Sequence, residues 1–393
     1  VEIERARWLV SDAGRAALAA LPRGLADWAP HKLADRLRER FVPAEASALA
    51  EQVTLRSKAE ARFGNDLGML YTADGLEMMT HPVVASRRAT RLASLGLPVA
   101  DLTCGLGGDL RAVVALGIEA VGLERDPATA LLASANVPRA DVAVGDGAFA
   151  PFDISGSAVI VDPSRREGGG RRFDPAAFSP SWDVAITLLR NAGAGVMKAP
   201  PGIEHRHIPA EVEMEFVQLG RSMREAALWC GMGAEPGLRR AVLLPEAVEL
   251  DSSAPEAAAD CHAPGAFLFD PESCVTRAGL VRHLAARVGA WMLDPRIAYL
   301  SAGEPAFDPL CATFEALEQV PFSVARLRDA LRRGGWTPAE IRRRGFPVEP
   351  DELRRLLGRF EGDPVTLLLT TLGAKRTAFI ARRLSAPGGA SGE

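Results

Sequence analysis

Val99-Ala-Asp-Leu-Thr-Cys-Gly-Leu-Gly-Gly-Asp109 runs from an apolar segment ending in an acid into a glycine-rich turn, with a helix expected from about Leu110. Glycines at 105, 107 and 108 remove the side chains that would keep a nucleotide away from the backbone, and the next helix N-terminus offers unpaired N–H groups. Outward from this turn, short apolar runs recur at Ala120–Leu123, Val142–Val144, Ala158–Val161 and Gly195–Met197, separated by segments of helical length. With Val99–Leu102 they make a β/α alternation. Runs without polar alternation indicate strands buried on both faces, so the expected fold is α/β, a mostly parallel sheet with helices on each side. Val212–Leu219 and Ala241–Leu244 are expected to add edge strands.

The strand ends carry the chemistry. A dinucleotide fingerprint would place its third glycine at position 110, which is Leu110, so that fingerprint is incomplete. The second strand ends at Glu124, where a carboxylate can accept both hydroxyl hydrogens of a ribose, as NAD and S-adenosylmethionine sites both require. The third ends in Gly145-Asp146-Gly147, whose acid suits an adenine amino group, and the fourth in Asp162-Pro163-Ser164-Arg165. Taken singly, these are a strand-to-helix turn, a solvated strand end and a turn residue. Together, on the C-terminal edge of one parallel sheet, they coincide with where such sheets bind ligands, and the ordered set favours S-adenosylmethionine.

Those motifs resemble the class I S-adenosylmethionine-dependent methyltransferases over roughly residues 60 to 245, and Asp101-Leu-Thr-Cys-Gly-Leu-Gly-Gly-Asp109 is similar to the first motif of the trimethylguanosine-synthase-like branch. The resemblance implies a Rossmann-like sheet with an antiparallel edge, a methionine end held by Asp101, Thr103 and Gly105, Gly107 and Gly108, a ribose at Glu124, and adenine at Asp146 and Gly147. It also implies that Asp162 and Pro163 border the acceptor as the catalytic pair. Amine methyltransferases commonly read Asp-Pro-Pro followed by an aromatic residue there. Here Ser164 and Arg165 replace the last two, so a base stacked on this motif is not implied. Arg165 and Arg166, with Arg171 and Arg172, read either as a phosphate grip or as a solvated loop, and glycines 168 to 170 point to a mobile segment. Leu76-Glu-Met-Met-Thr-His-Pro82 resembles the branch's motif that closes over the methionine end, with Thr80 as the contact; otherwise Thr80 or His81 caps a helix beginning near Pro82. Lys198-Ala-Pro-Pro-Gly202 resembles a substrate-side loop of the same group, with Lys198 as a substrate contact or a satisfied strand-end lysine.

The rest of the chain bounds these readings. Its 393 residues fit two to four domains, and 48% hydrophobic with 24% charged content describes a folded, soluble chain. A formal net charge of −4 excludes a uniformly basic nucleic-acid coat but not a local patch. Five scattered cysteines, without a CxxC pair, imply neither a disulfide framework nor a zinc site, and Cys104 is a small packing residue rather than a nucleophile. No apolar stretch reaches the roughly 18 residues that span a bilayer, so a cytoplasmic location is expected. No cysteine or further histidine sits near His205 and His207, so no metal is expected, and Glu211, Glu213 and Glu215 read as a solvated or inter-domain strand face.

The expected division is a helical N-terminal domain at 1–95, the methyltransferase domain at 96–248, a linker within 249–265, an α+β remainder and a disordered tail at 385–393. Helices are expected at Leu280–Trp291, Val324–Arg333 and Asp351–Leu357, with strands at Val365–Thr371 and Thr377–Ala381. Basic residues recur here without many acids: Arg326, Arg328, Arg332, Arg333, Arg342, Arg343, Arg344, Arg354, Arg355, Arg359, Lys375, Arg376, Arg382 and Arg383. They read as an electrostatic footprint for RNA phosphates, with a solvated helical face as the default for any single one. Phe346-Pro-Val-Glu349 through Arg383 resembles the THUMP-like domain at the C-terminus of a bacterial methyltransferase family, which assigns 313–384 to that domain and 265–310 to a small ferredoxin-like domain. The implied activity is direct methyl transfer to a nitrogen or oxygen, with RNA as acceptor. Two alternatives remain at this level: an RNA-binding adaptor that retains the cofactor fold, and a methyltransferase acting on a protein or small molecule.

Overall fold

The computed structural model describes residues 3–21, 25, 28–65, 67–165 and 178–386. The chain divides into two compact units, 1–213 with 226–237, and 214–225 with 238–393.

The first unit begins with six helices: α1 (Ile3–Val10), α2 (Asp12–Ala19), α3 (Pro30–Leu37), α4 (Pro43–Phe63), α5 (Ala73–Met78) and α6 (Pro82–Ala93). Prolines 30, 43 and 82 stand in first turns, where a missing N–H costs nothing. Ser11 and Thr72 cap α2 and α5 by accepting from Gly14 N and Gly75 N. Leu33, Leu49, Leu55, Phe63 and Tyr71 are buried on the inner faces, each such side chain contributing about 1.5–3 kcal/mol through removal from water. Their cluster continues through Leu76, Met79 and Leu106 to Ala128 and Leu132, so the helical layer presses directly on the glycine-rich turn. Asn136 reinforces this by donating to Leu70 O and Leu106 O, both at 3.0 Å.

The sheet of this unit holds β1 (Val99–Asp101), β2 (Ala120–Glu124), β3 (Asp141–Val144), β4 (Ala158–Val161) and β7 (Ala194–Ala199), with α7 (Gly108–Ala115), α8 (Pro127–Asn136) and α9 (Trp182–Asn191) between strands. β5 (Ser164–Arg165) and β6 (Phe178–Ser179) form a separate two-stranded ribbon. The order is β3-β2-β1-β4-β7, all parallel, and residues 226–231 of β9 (Ser222–Gly231) close it antiparallel to β7. This is the expected mostly parallel sheet with an antiparallel edge. β1 and β4 are buried along their whole length, as continuous apolar runs require. β3 differs: it is an edge strand, and Val144 is 58% exposed. Its apolar run therefore does not mark burial on both faces. Of Glu211, Glu213 and Glu215, expected on a solvated or inter-domain strand face, Glu211 is exposed but Glu213 and Glu215 are buried, and Glu213 is held by Arg91 at 2.8 and 2.6 Å.

In the second unit, β8 (Glu213–Leu219) pairs parallel with β10 (Arg239–Leu244), and β10 pairs antiparallel with β11 (Val248–Asp251). A seven-stranded sheet follows, built from β12 (Phe267–Pro271), β13 (Trp291–Asp294), β14 (Ile297–Ala302), β15 (Cys311–Pro321), β16 (Trp336–Arg344), β17 (Asp363–Leu372) and β18 (Lys375–Leu384), in the order β13-β14-β12-β15-β18-β17-β16. Helices α10 (Ser273–Ala278) and α11 (Val281–Val288) precede β13, while α12 (Val324–Gly334) and α13 (Pro350–Leu357) cover one face of the sheet. Alternation in β17 divides two cores: Leu367 and Leu369 pack with the helical residues Leu327, Leu331 and Leu353, while Leu368 packs with Tyr299, Phe314 and Phe379. No helix among the described residues is long and apolar enough to cross a membrane.

Candidate cofactor and acceptor site

β1 delivers Asp101 to the C-terminal edge of the sheet, where its carboxyl is only 2% exposed and accepts from Thr103 N at 3.2 Å. Burial, reinforced by the charge of Asp109 and to a lesser degree Asp162, pushes this carboxyl up to about 8, against the opposing pull of Thr103 N–H and Lys198. Asp109, on the first turn of α7, goes the other way. Burial would raise it too, but Arg88, Lys198 and the Thr80 hydroxyl outweigh that and hold it below the usual carboxylate range.

These groups form one network on the cavity floor. Thr80 Oγ1 donates to Asp109 Oδ2 at 2.7 Å, and Lys198 Nζ donates to Thr80 Oγ1 at 2.7 Å. Lys198 also pairs with Asp162 and lies 3.8 Å from Asp109, while Arg88 pairs with Asp109 from α6. Thr103 Oγ1 accepts from Asp162 N at 2.6 Å, which ties the end of β4 to the turn after β1. The helix cap belongs to the neighbouring residue: His81 Nδ1 accepts from Val83 N at 3.3 Å, leaving Thr80 turned inward.

The turn itself is shaped by glycine. Gly105 has φ +53°, and a Cβ there would meet no protein atom within 4 Å, so its open side belongs to the cavity. Its N–H donates to Glu124 Oε2 at 3.1 Å, and Glu124 Oε1 accepts from Asp126 N at 2.8 Å, which fixes the acid at the tip of β2. Gly108 lies against Met79, whereas Gly107 faces Val137 of the helical side and does not line the cavity. At the end of β3, Asp146 accepts from Ala148 N at 2.9 Å and starts a short 3-10 turn. Gly147 is required there by close approach, since a Cβ would fall 1.8 Å from Leu102 O.

The cavity measures about 440 Å3. Of the residues singled out in the sequence, it brings together Thr80, Asp101, Thr103, Gly105, Gly108, Glu124, Asp146, Gly147, Asp162, Pro163 and Lys198. Only the backbone of Arg165 is described; Arg166, glycines 168–170, Arg171 and Arg172 lie outside the described residues, as does the tail from 387 onward. In β5 and β6, Ser164 pairs with Ser179 and Arg165 with Phe178. Phe178 is buried toward Trp182, so this hairpin presents Ser164, Ser179 and Pro180 to the cavity and keeps its aromatic ring away.

Sequence reasoning missed Arg88, Met78, Met79, Arg125, Ser179 and Pro180. Arg88 had a signal: it interrupts the apolar stripe Val84, Ala85, Ala89, Leu92 on the buried face of α6, and an unpaired cation is not tolerated there. Arg125 and Ser179, linked at 3.4 Å across the cavity mouth, are 54 residues apart and had none.

Comparison with known proteins accords with this geometry. An uncharacterized S-adenosylmethionine-dependent methyltransferase of Mycobacterium tuberculosis is 35% identical over 366 residues, covering 88% of this chain and 99% of that protein, in both the CDC 1551 / Oshkosh and the ATCC 25618 / H37Rv strains. The chain belongs to the S-adenosylmethionine-dependent methyltransferases. The solved structure of a methyltransferase candidate from Porphyromonas gingivalis W83 has the same fold, with a TM-score of 0.75 at 22% identity and 98% of each chain covered. Residues 311–383 of this methyltransferase match the family described as THUMP domain-like, and residues 2–59 match a domain of unknown function. S-adenosylmethionine fits the cavity chemically: a buried carboxyl without a full positive partner suits a cationic ligand at one end, and Glu124 and Asp146 suit hydroxyl and amino donors at the other.

Proposed function

We propose that this methyltransferase holds the methionine end of its cofactor beside Asp101, Thr103 and Gly105, the ribose at Glu124 and the adenine at Asp146 and Gly147, and that it transfers the methyl group to a nitrogen or oxygen of RNA. The observation that carries the reading is that acids from four strand ends, Asp101, Glu124, Asp146 and Asp162, face one cavity. The bound cofactor supplies a methyl group already activated on a sulfonium, so the protein's contribution is placement. Lys198 holds one oxygen of Asp162, and Thr103 holds its backbone N–H, so the other oxygen is oriented to accept a hydrogen bond from the acceptor. The Pro163 backbone and Ser164 border the same position. Among the described residues the β5–β6 ribbon offers Ser164 and Ser179 to the cavity, which supports an acceptor gripped by hydrogen bonds. RNA as the acceptor is supported by the THUMP domain-like match at 311–383 and by the basic residues of that region.

Titration calorimetry with S-adenosylmethionine, S-adenosylhomocysteine and NAD tests the cofactor assignment. The two sulfur nucleotides are expected to bind and NAD not to, with Glu124→Ala weakening them at least about tenfold, the loss of a hydrogen-bonded charge. Equal affinity in the variant would refute the ribose assignment. Turnover with cellular RNA as acceptor, read as S-adenosylhomocysteine release, then separates an RNA methyltransferase from an adaptor that binds cofactor without consuming it.

A further inference from the structure

Many of the basic residues of the C-terminal region have no charge to spare. Arg342 and Arg344 converge on Asp270, Arg343 pairs with Glu349 at 2.6 Å, and Arg333 with Glu318 at 2.8 Å. Arg382 pairs with Glu315 at 2.9 Å. Arg328 and Arg354 donate to helix-end and strand carbonyls, at 3.1 Å to Leu357 O and 3.1 Å to Pro338 O. The ion-paired residues contribute little field to an incoming polyanion, while Arg328 and Arg354 keep their charge but are held in place by the carbonyls they cap.

Five others differ: Arg355 and Arg359 are exposed without a carboxylate in ion-pair distance among the described residues, and three more stand together. Arg326, Lys375 and Arg376 are exposed, and among the described residues none has a carboxylate within ion-pair distance. The fold brings them to one end of the second unit. Phe322 N donates to Arg376 O at 2.9 Å, which sets the start of α12 beside the β17–β18 turn, and Arg326 lies in the first turn of α12, its N–H capped by Ser323 at 3.2 Å. Arg296, whose side chain is 71% exposed, stands beside them by donating to Gly373 O at 3.1 Å, and unlike them it also pairs with a carboxylate, Asp294, at 3.4 Å. The acid beside the turn, Asp294, is buried and already accepts from Gly373 N at 2.7 Å and Arg296 N at 2.9 Å. The first turn of α12 contains no acid, so its partial positive charge adds to the four cations.

We infer that Arg296, Arg326, Lys375 and Arg376, gathered around the β17–β18 turn and the start of α12, form the surface on which this methyltransferase grips the phosphates of its RNA. The inference rests on the RNA reading above and narrows it to one end of one sheet. In a chain of net charge −4, attraction for a polyanion has to be local, and here three exposed cations without a carboxylate partner are brought to one end of the sheet.

Binding of unfractionated tRNA to the full chain, measured from 50 to 300 mM salt, tests it. The triple variant Arg326→Ala/Lys375→Ala/Arg376→Ala is expected to weaken binding by about tenfold or more at 100 mM salt and to lower the log–log salt slope by about 2, at roughly 0.7–0.9 for each phosphate no longer neutralised. Arg333→Ala and Arg382→Ala, which remove paired arginines, are expected to change affinity by less than about twofold. The circular dichroism spectrum and thermal unfolding of every variant, matched to wild type, confirm that the second unit of each is folded. Wild-type and triple variant binding tRNA with the same slope would overturn the surface and leave the RNA reading standing. A wild type with no salt-dependent tRNA binding would overturn both.

Discussion

Asp101 is a carboxyl placed where water cannot stabilise its charge, and two of its near neighbours, Asp109 and Asp162, are also acids. Its folded-state value of about 8 stands far above the ordinary 3.8, so between those values the folded chain holds a proton that the unfolded chain has lost. Stability contributed by this residue therefore falls as pH rises from about 4 to about 8. Asp101→Asn keeps an acceptor for Thr103 N–H and removes the titration. Its melting temperature relative to wild type is expected to increase steadily from pH 5 to pH 8 in the absence of cofactor; a difference independent of pH would show that Asp101 is ionised throughout. On the proposed placement of the cofactor, a cationic ligand beside Asp101 would reverse the local balance by favouring the carboxylate. This residue was legible from its place at the end of the Val99–Asp101 run, because a strand-end acid before a glycine turn is a local pattern. The upward shift of its carboxyl was not legible, since the burial that drives it and the charges of Asp109, Lys198 and Asp162 that modify it come from other elements.

At the scale of elements, α6 shows how a helix outside the sheet builds the site. His81 caps its start, Pro82 fixes its first turn, and its apolar stripe buries Val84, Ala85, Ala89 and Leu92, which carries Arg88 inward to Asp109 on α7. Both side chains are nearly inaccessible, so the pair is costly to break from one side. Arg88→Leu is expected to destabilise the chain by about 3 kcal/mol, because Asp109 is left buried with only Thr80 and the more distant Lys198 to offset its charge, whereas Arg88→Leu with Asp109→Leu should recover most of that loss. Urea unfolding of the two variants checks this, and equal destabilisation in both would mean that packing, not charge, is what Arg88 supplies. Elements with strong periodicity were readable: α12 and α13 fall within a residue or two of their expected spans, and β17 and β18 extend theirs by one to three residues at each end. β16 was not readable, because Pro338 and three consecutive arginines at 342–344 do not look like a strand. It is the outer strand of its sheet, with a register shift at Pro338, and its arginines are satisfied by Asp270, Glu340 and Glu349 from distant or neighbouring segments.

Over the whole molecule, each unit has its own buried core, and the cavity belongs to the first. Ligand binding therefore stabilises the unit that contains the site. S-adenosylhomocysteine at about 100 times its dissociation constant is expected to add about 2.7 kcal/mol to that unit's stability and raise its unfolding transition in differential scanning calorimetry, with NAD leaving the trace unchanged. A shift with NAD of equal size would return the cavity to the dinucleotide class. The α/β alternation, the parallel sheet and the positions of the strand-end acids were all determined by the sequence itself, because each depends on periodicity and turn chemistry within a few residues. What only the tertiary structure decided is which charges remain. Arg88 and Asp109, Lys198 and Asp162, and Arg342 and Asp270 cancel across 21 to 72 positions of chain, and Arg326, Lys375 and Arg376 do not. Coulomb attraction acts through space over a few ångströms, so no reading along the chain can tell a spent arginine from an available one.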